Sequence, residues 1–288
     1  MNPFLPILST SLLALATAVP PAHETPSWTQ PTRPFRIYGN TWYVGTQGLS
    51  AILITSPQGH VLIDGTLPQN AARVEANIRA LGFDLRDVRV ILNSHTHADH
   101  AGAIARLAHD TGAQVWARVP AAKALRAGGF DPDDPQYGET SRYPAPAAIT
   151  LVSDEGVVHL GPLAFTAHAT PGHTPGGTSW TWRSCEGARC LNLAYVDSLT
   201  AIGRKGFRYS DQPELVRAFR ATLDRVAHLP CDILLTPHPD ASNLMPRIAQ
   251  RDHGNARSLV DPHACQAYAE EARRHLDARL AEEQKDPR

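Results

Sequence analysis

From Trp42 onward the chain alternates short apolar runs with polar turns: Trp42 to Gly45, Ala51 to Ser56, and His60 to Asp64, with Gly59 at the turn between the last two. Runs of this length between turn residues predict strands. Pro68 opens a helix reaching about Leu81, with Ala72, Ile78 and Leu81 apolar among polar positions. Val88 to Leu92 is apolar apart from Arg89, as in a strand buried on both faces, and it ends at Asn93-Ser94-His95. Ala103 to His109 reads as a helix, Gln114 to Ala117 as a strand and Ala121 to Ala127 as a helix. Gly128 to Ala147, rich in Gly, Pro and Asp, reads as a long surface loop, a length that is often functional.

The second half repeats this rhythm. Ile149 to Val152, Val157 to Leu160, Leu163 to Ala169, Ser179 to Arg183 and Leu191 to Val196 read as strands. A helix from Pro213 to about His228, a strand from Ile233 to Thr236 and an amphipathic helix from about Asp261 to Glu283 follow. Strands then helices, twice over and without a linker, predict one α/β domain of stacked layers. The pattern leaves the order of the layers open.

The 288 residues are enough for a sizeable core. A formal net charge of -1 argues against nucleic acid or an anionic membrane as partner, since either would need a basic face. Ile7 to Ala16 is a short apolar run ending in the small residues Ala16-Thr17-Ala18, which predicts a secretory signal over residues 1–18. Pro-rich residues 19–34 form a lead, and residues 35–288 the domain. The expected destination is the periplasm, with no membrane attachment once the signal is removed. Four cysteines fit an oxidising compartment. Their grouping favours Cys185 with Cys190 and Cys231 with Cys265, although four cysteines allow three connectivities.

The strongest chemical signal is Ser94-His95-Thr96-His97-Ala98-Asp99-His100, at the end of an apolar strand. Three imidazoles and a carboxylate so close together can hardly all find buried hydrogen-bond partners without a metal. In an extended segment His95 and His97 point the same way, while Asp99 and His100 at the turn into a helix can face a second centre. Imidazole and carboxylate ligands without thiolates suit zinc.

This HxHxDH pattern after a buried strand resembles the metallo-β-lactamase superfamily. That resemblance implies a four-layer αββα sandwich with two zinc ions per chain at one edge. It also covers Gly172-His173-Thr174-Pro175-Gly176 and Thr236-Pro237-His238-Pro239, where family members carry two further ligands. His95, His97 and His173 are then expected at the first zinc, and Asp99, His100 and His238 at the second. His168 reads as a half-buried strand residue rather than a ligand. His60, His109, His159, His228, His253, His263 and His275 read as surface or capping residues.

Subclasses B1 and B2 of the family use a Cys as metal ligand. Here Ala194-Tyr195-Val196-Asp197-Ser198-Leu199-Thr200 stands in that region, and Ser198 with His100 as a ligand resembles subclass B3. The resemblance implies a monomeric zinc-dependent β-lactamase that confers antibiotic resistance. In such an enzyme a metal-bound hydroxide beside Asp99 attacks the carbonyl of a small-molecule β-lactam. Ser198, Thr200 and Gln136 are the expected substrate contacts, and Asp64 is expected to orient the ligand region. The alternative is a lactonase or thioesterase of the same superfamily, in which Asp197 bridges both metals. A non-catalytic zinc-binding protein, the third possibility, would not need ligand sets that leave metal positions open.

Overall fold

Strict alternation along the strands decides which side chains meet. In β3 (Ile52–Ile54) and β4 (His60–Ile63), Ile52, Ile54, Val61 and Ile63 face one side, and Leu53 and Leu62 the other. This period of two lets each strand serve two cores at once. A computed structural model describes residues 25–285. The signal expected over residues 1–18 lies outside the described residues.

Strands β1 (Phe35–Tyr38) and β2 (Thr41–Tyr43) precede β3 and β4. After them come α1 (Ala71–Ala80), β5 (Val88–Leu92), α2 (Ala98–Ala101), α3 (Ile104–Thr111), β6 (Gln114–Arg118), α4 (Val119–Arg126) and β7 (Ile149–Val152). Strands β1 to β7 form one sheet in chain order; it is antiparallel as far as β4 and parallel from β4 to β7. The second half supplies β8 (Val157–Leu160), β9 (Leu163–Ala169), β10 (Thr178–Glu186), β11 (Arg189–Tyr195), α5 (Pro213–Ala227), β12 (Ile233–Leu235), α6 (Leu244–Asp252) and α7 (Ala264–Lys285). Its sheet runs β12-β11-β10-β9-β8, with β12 parallel to β11.

The sheets pack face to face over Ile52, Ile63, Leu92, Phe165, Trp180 and Tyr195, all inaccessible to solvent. Truncating one of the aliphatic members to Ala costs about 2–5 kcal/mol. Leu53, Leu62 and Ile91 face outward onto α1, α3 and α4. Ala194, Val196 and Leu234 do the same beneath α5 and α7. The result is a four-layer αββα sandwich. Disulfides join Cys185 to Cys190 across the β10–β11 hairpin and Cys231 to Cys265 between the start of β12 and α7.

Several local expectations are revised. Strand β1 and helix α6 had no sequence signal strong enough to separate them from their Pro- and Asn-containing flanks. Residues 25–34 of the Pro-rich lead are bound to the domain: Gly48 N–H donates to the Ser27 carbonyl (2.9 Å) and Gln47 N–H to that of Gln30 (3.0 Å). The loop from Gly128 to Ala147 has no strand or helix, but it is not simply a surface loop. Asp131, Asp134 and Tyr143 are buried, and the Tyr143 hydroxyl donates to the Thr96 carbonyl (2.6 Å). His60 is buried with its ring against the edge of Phe83 (5.0 Å), not on the surface. His168 is buried rather than half-buried, held between Glu155 and Thr181 at 2.8 Å on each side. No helix among the described residues is long and apolar enough to cross a membrane.

Candidate metal centre

The ends of β4, β5, β11 and β12, with the β9–β10 connection, bring the predicted residues to one edge of the sandwich. The base is built by Asp64, which follows β4 and is inaccessible to solvent. Its carboxylate accepts from Ser94 N–H (2.8 Å), Ser94 Oγ (2.6 Å), Asn93 Nδ2 (3.2 Å) and the Tyr195 hydroxyl (2.9 Å). Those bonds hold Asp64 in the left-handed region, at φ 61°, a conformation that costs a non-glycine residue about 1–2 kcal/mol. They also fix the segment leaving β5. Trp180 Nε1 donates to the Asn93 carbonyl (3.0 Å), and Thr178 N–H to that of Ser94 (2.8 Å). The HxHxDH segment is thereby gripped by both sheets.

His95 and His97 lie on the extended part of the segment, with ring centroids 4.8 Å apart; Asp99 and His100 lie on α2. His173 comes from the β9–β10 connection, its ring 4.8 Å from that of His95 and 4.9 Å from that of His97. Two glycines of that connection are required. A Cβ on Gly172 (φ 151°) would strike the Phe219 ring at 2.4 Å, and one on Gly177 would meet the Thr170 carbonyl at 2.3 Å and Asp197 Oδ2 at 2.5 Å. His238 follows β12, where Trp28 packs against its ring (5.4 Å).

Donor atoms of His95, His97 and His173 lie within 4.8 Å of one another, as do those of His95, Asp99 and His100. Asp99 Oδ2 lies 3.0 Å from His100 Nε2 and 3.3 Å from His238 Nε2, and those two nitrogens are 3.1 Å apart. Two ligand atoms on a tetrahedral zinc with bonds of about 2.0–2.1 Å stand roughly 3.3 Å apart, so this triangle fits one ion. Nε2 of His95 is buried without a hydrogen-bond partner, while its Nδ1 is held by Asp197 (2.7 Å). His173 Nδ1 lies 3.0 Å from both the carbonyl and the hydroxyl of Thr200. In each case one ring nitrogen is committed to the protein and the other is left for a metal.

Electrostatics favour the same assignment. Burial, then the charges of His100, His173 and His97, hold His95 well below the ordinary imidazole range. Burial and the neighbouring His97 bring His173 down to about 3. Both rings are therefore neutral near pH 7, with a lone pair to offer. Burial alone would raise the Asp99 carboxyl, but His100 and His238 keep it well below its ordinary value. Burial pushes the carboxyls of Asp64 and Asp197 up.

A cavity of about 550 Å³ opens over the cluster, a size suited to a small molecule. Gln136, Ser198 and Thr200 line it, facing Trp28 and Ile202, and no Lys or Arg is among its lining residues. Asp197 belongs to neither group of converging donors; its Oδ1 faces Nδ1 of His95 at 2.7 Å, and its Oδ2 is buried without a hydrogen-bond partner. Sequence reasoning missed Asp134, Trp28 and Tyr195. Asp134 Oδ2 lies 2.9 Å from His97 Nε2 across 37 positions, and only the run of aspartates at 131, 133 and 134 marks its loop.

Residues 44–189 match the profile of the metallo-beta-lactamase superfamily. The chain belongs to the metallo-β-lactamase superfamily. Among solved members, the Rm3 metallo-beta-lactamase is 49% identical with a TM-score of 0.87, the match covering 90% of this chain and 97% of that one. MEM-A1, a subclass B3 metallo-beta-lactamase from a soil metagenome library, is 46% identical with a TM-score of 0.88, covering 90% and 100%. A hydroxyacylglutathione hydrolase of Anaeromyxobacter dehalogenans is 32% identical over 161 residues, 56% of this chain. The chain spans about half of that relative's length (51%). This metallo-β-lactamase superfamily hydrolase thus resembles subclass B3 structures over nearly all its described length.

Proposed function

We propose that the chain is an exported dizinc β-lactamase of subclass B3 type that opens the amide of β-lactam antibiotics and so confers resistance. His95, His97 and His173 would hold one zinc, and Asp99, His100 and His238 the other. Bound zinc supplies Lewis acidity toward the amide carbonyl and an activated water at neutral pH. The chain's own residues bind and orient. Asp99, anionic between His100 and His238, sets the polarity beside the reacting amide. Because the cavity wall carries no cationic side chain, the substrate carboxylate falls to neutral donors, Ser198 and Thr200, with Gln136 reaching in from the loop above.

The observation that carries the substrate assignment is the position of Asp197. A lactonase or thioesterase of the bridging-aspartate kind needs that carboxylate among the metal donors, whereas here Asp197 lies in neither group of converging donors and its Oδ1 is engaged by His95 Nδ1. The similarity to MEM-A1 and Rm3 supports the same choice. Two disulfides support export to the periplasm. The deciding experiment is hydrolysis of a chromogenic cephalosporin by purified protein, with and without chelator, beside a γ-lactone and a thioester. Chelator-sensitive cephalosporin turnover is expected. Brisk lactone or thioester hydrolysis with an intact cephalosporin would reverse the assignment.

A further inference from the structure

The loop from Gly128 to Ala147 approaches the cavity, yet its best-buried carboxylate points away from any substrate and onto a ligand histidine. Asp134 is 2 % exposed. Both oxygens of this buried carboxylate are hydrogen-bonded, which offsets the cost of its burial. Oδ2 takes His97 Nε2 at 2.9 Å, and Oδ1 accepts the Gln136 N–H at 2.7 Å in an Asx turn. The turn is closed by Tyr137 N–H donating to the Asp134 carbonyl (2.9 Å). From across the cavity, Arg204 N–H donates to the Pro135 carbonyl (2.7 Å), and the Arg204 guanidinium donates to that of Asp134 (3.4 Å).

The bond to His97 has a chemical consequence. A carboxylate only accepts, so His97 must carry its proton on Nε2, which leaves Nδ1 as its metal donor. His95 and His173 have the opposite arrangement, their Nδ1 atoms being held by Asp197 and Thr200. One carboxylate therefore fixes both the tautomer of a zinc ligand and the turn that presents Gln136 to the cavity. We propose that Asp134 is a positioning residue that couples zinc retention at the His95–His97–His173 position to the order of the substrate-facing loop. The inference rests on reading His97 as a zinc ligand.

The test uses the purified full chain and a chromophoric chelator competing for zinc, a readout independent of any substrate. Asp134→Asn has one acceptor oxygen for the two N–H groups of His97 and Gln136, so it cannot hold both, and should weaken the affected zinc by about 10- to 100-fold. Asp134→Glu keeps the charge with altered reach and should move affinity in the same direction, which provides a second variant where Asn prevents folding. Asp131→Asn is the loop control. Asp131 caps the same loop, its Oδ1 accepting the Asp133 N–H (3.2 Å), and should leave affinity unchanged. Wild-type zinc affinity in both Asp134 variants, or equal weakening in Asp131→Asn, would overturn the proposal. Weakened zinc in the Asp134 variants of a chain that never hydrolyses cephalosporin would uphold Asp134 and reject the β-lactamase reading instead.

Discussion

Oδ1 of Asp197 lies 2.7 Å from Nδ1 of His95, and neither side chain is more than 1% exposed. The carboxylate therefore turns the ring, and Gly177 makes the approach possible by presenting no Cβ to Asp197 Oδ2. A buried His–carboxylate pair behind a ligand fixes ring orientation and raises ligand basicity.

The pair separates two roles for Asp197. Asp197→Asn retains an acceptor for the His95 Nδ1–H and should keep two zinc ions per chain with reduced turnover. Asp197→Ala should lose about 10- to 100-fold in zinc affinity or kcat/KM. Elemental analysis with a kinetic assay checks both. Loss of a whole zinc equivalent in the Asn variant would return Asp197 to the ligand set.

Much of this candidate site was legible in the sequence because its proposed ligands are clustered or stand in distinctive turns. His95, His97, Asp99 and His100 occupy six positions, and His173 and His238 each lie in a Pro-flanked turn after a strand. The sandwich was legible to the extent that apolar runs such as Val90–Leu92 report two-sided burial. The groups that aim the ligands were not. Asp134 meets His97, and Tyr195 meets Asp64, through contacts 37 and 131 residues apart that carry no local pattern. Trp28 lies in a Pro-rich stretch whose packing against His238 depends on the fold bringing β12 beside it. The Asp197 ambiguity had the same origin: sequence gives the residue's place in the chain, not which side of His95 it occupies.

Zinc should stabilise the fold as well as act in it. Ligands that bind only the folded chain add RT ln(1 + [L]/Kd), about 2.7 kcal/mol per site at a hundredfold excess over Kd. Urea unfolding should shift to higher midpoint with added zinc and fall back with chelator. Identical midpoints under the two conditions would count against preformed sites.

The two disulfides should contribute unequally. By loop-closure entropy, the 34-residue separation of Cys231 and Cys265 is worth about 4 kcal/mol, and the 5-residue separation of Cys185 and Cys190 about 2 kcal/mol. Replacing each pair with Ala and comparing unfolding midpoints tests the ranking. A larger loss from the hairpin pair would contradict it.

Glu283 ties the last helix to the cavity wall and should give the fold an acid-sensitive joint. Its carboxylate accepts from Arg279 Nε (2.6 Å), Ser210 N–H (2.8 Å) and Tyr209 N–H (3.1 Å). Burial works against its charge, but Arg279 and those backbone donors hold its carboxyl below the ordinary glutamate range. A group with a lowered folded pKa stabilises above its unfolded value, about 4.3, and that contribution drains away as pH falls through the folded value. Glu283→Gln should therefore cost about 1–3 kcal/mol at neutral pH and flatten the decline in stability below about pH 4.3. Tyr209 in turn donates to the carbonyl of Ile202 (3.2 Å) on the cavity rim, so the variant should raise KM more than it lowers kcat. Parallel pH–stability curves for the variant and the parent would remove Glu283 from this role.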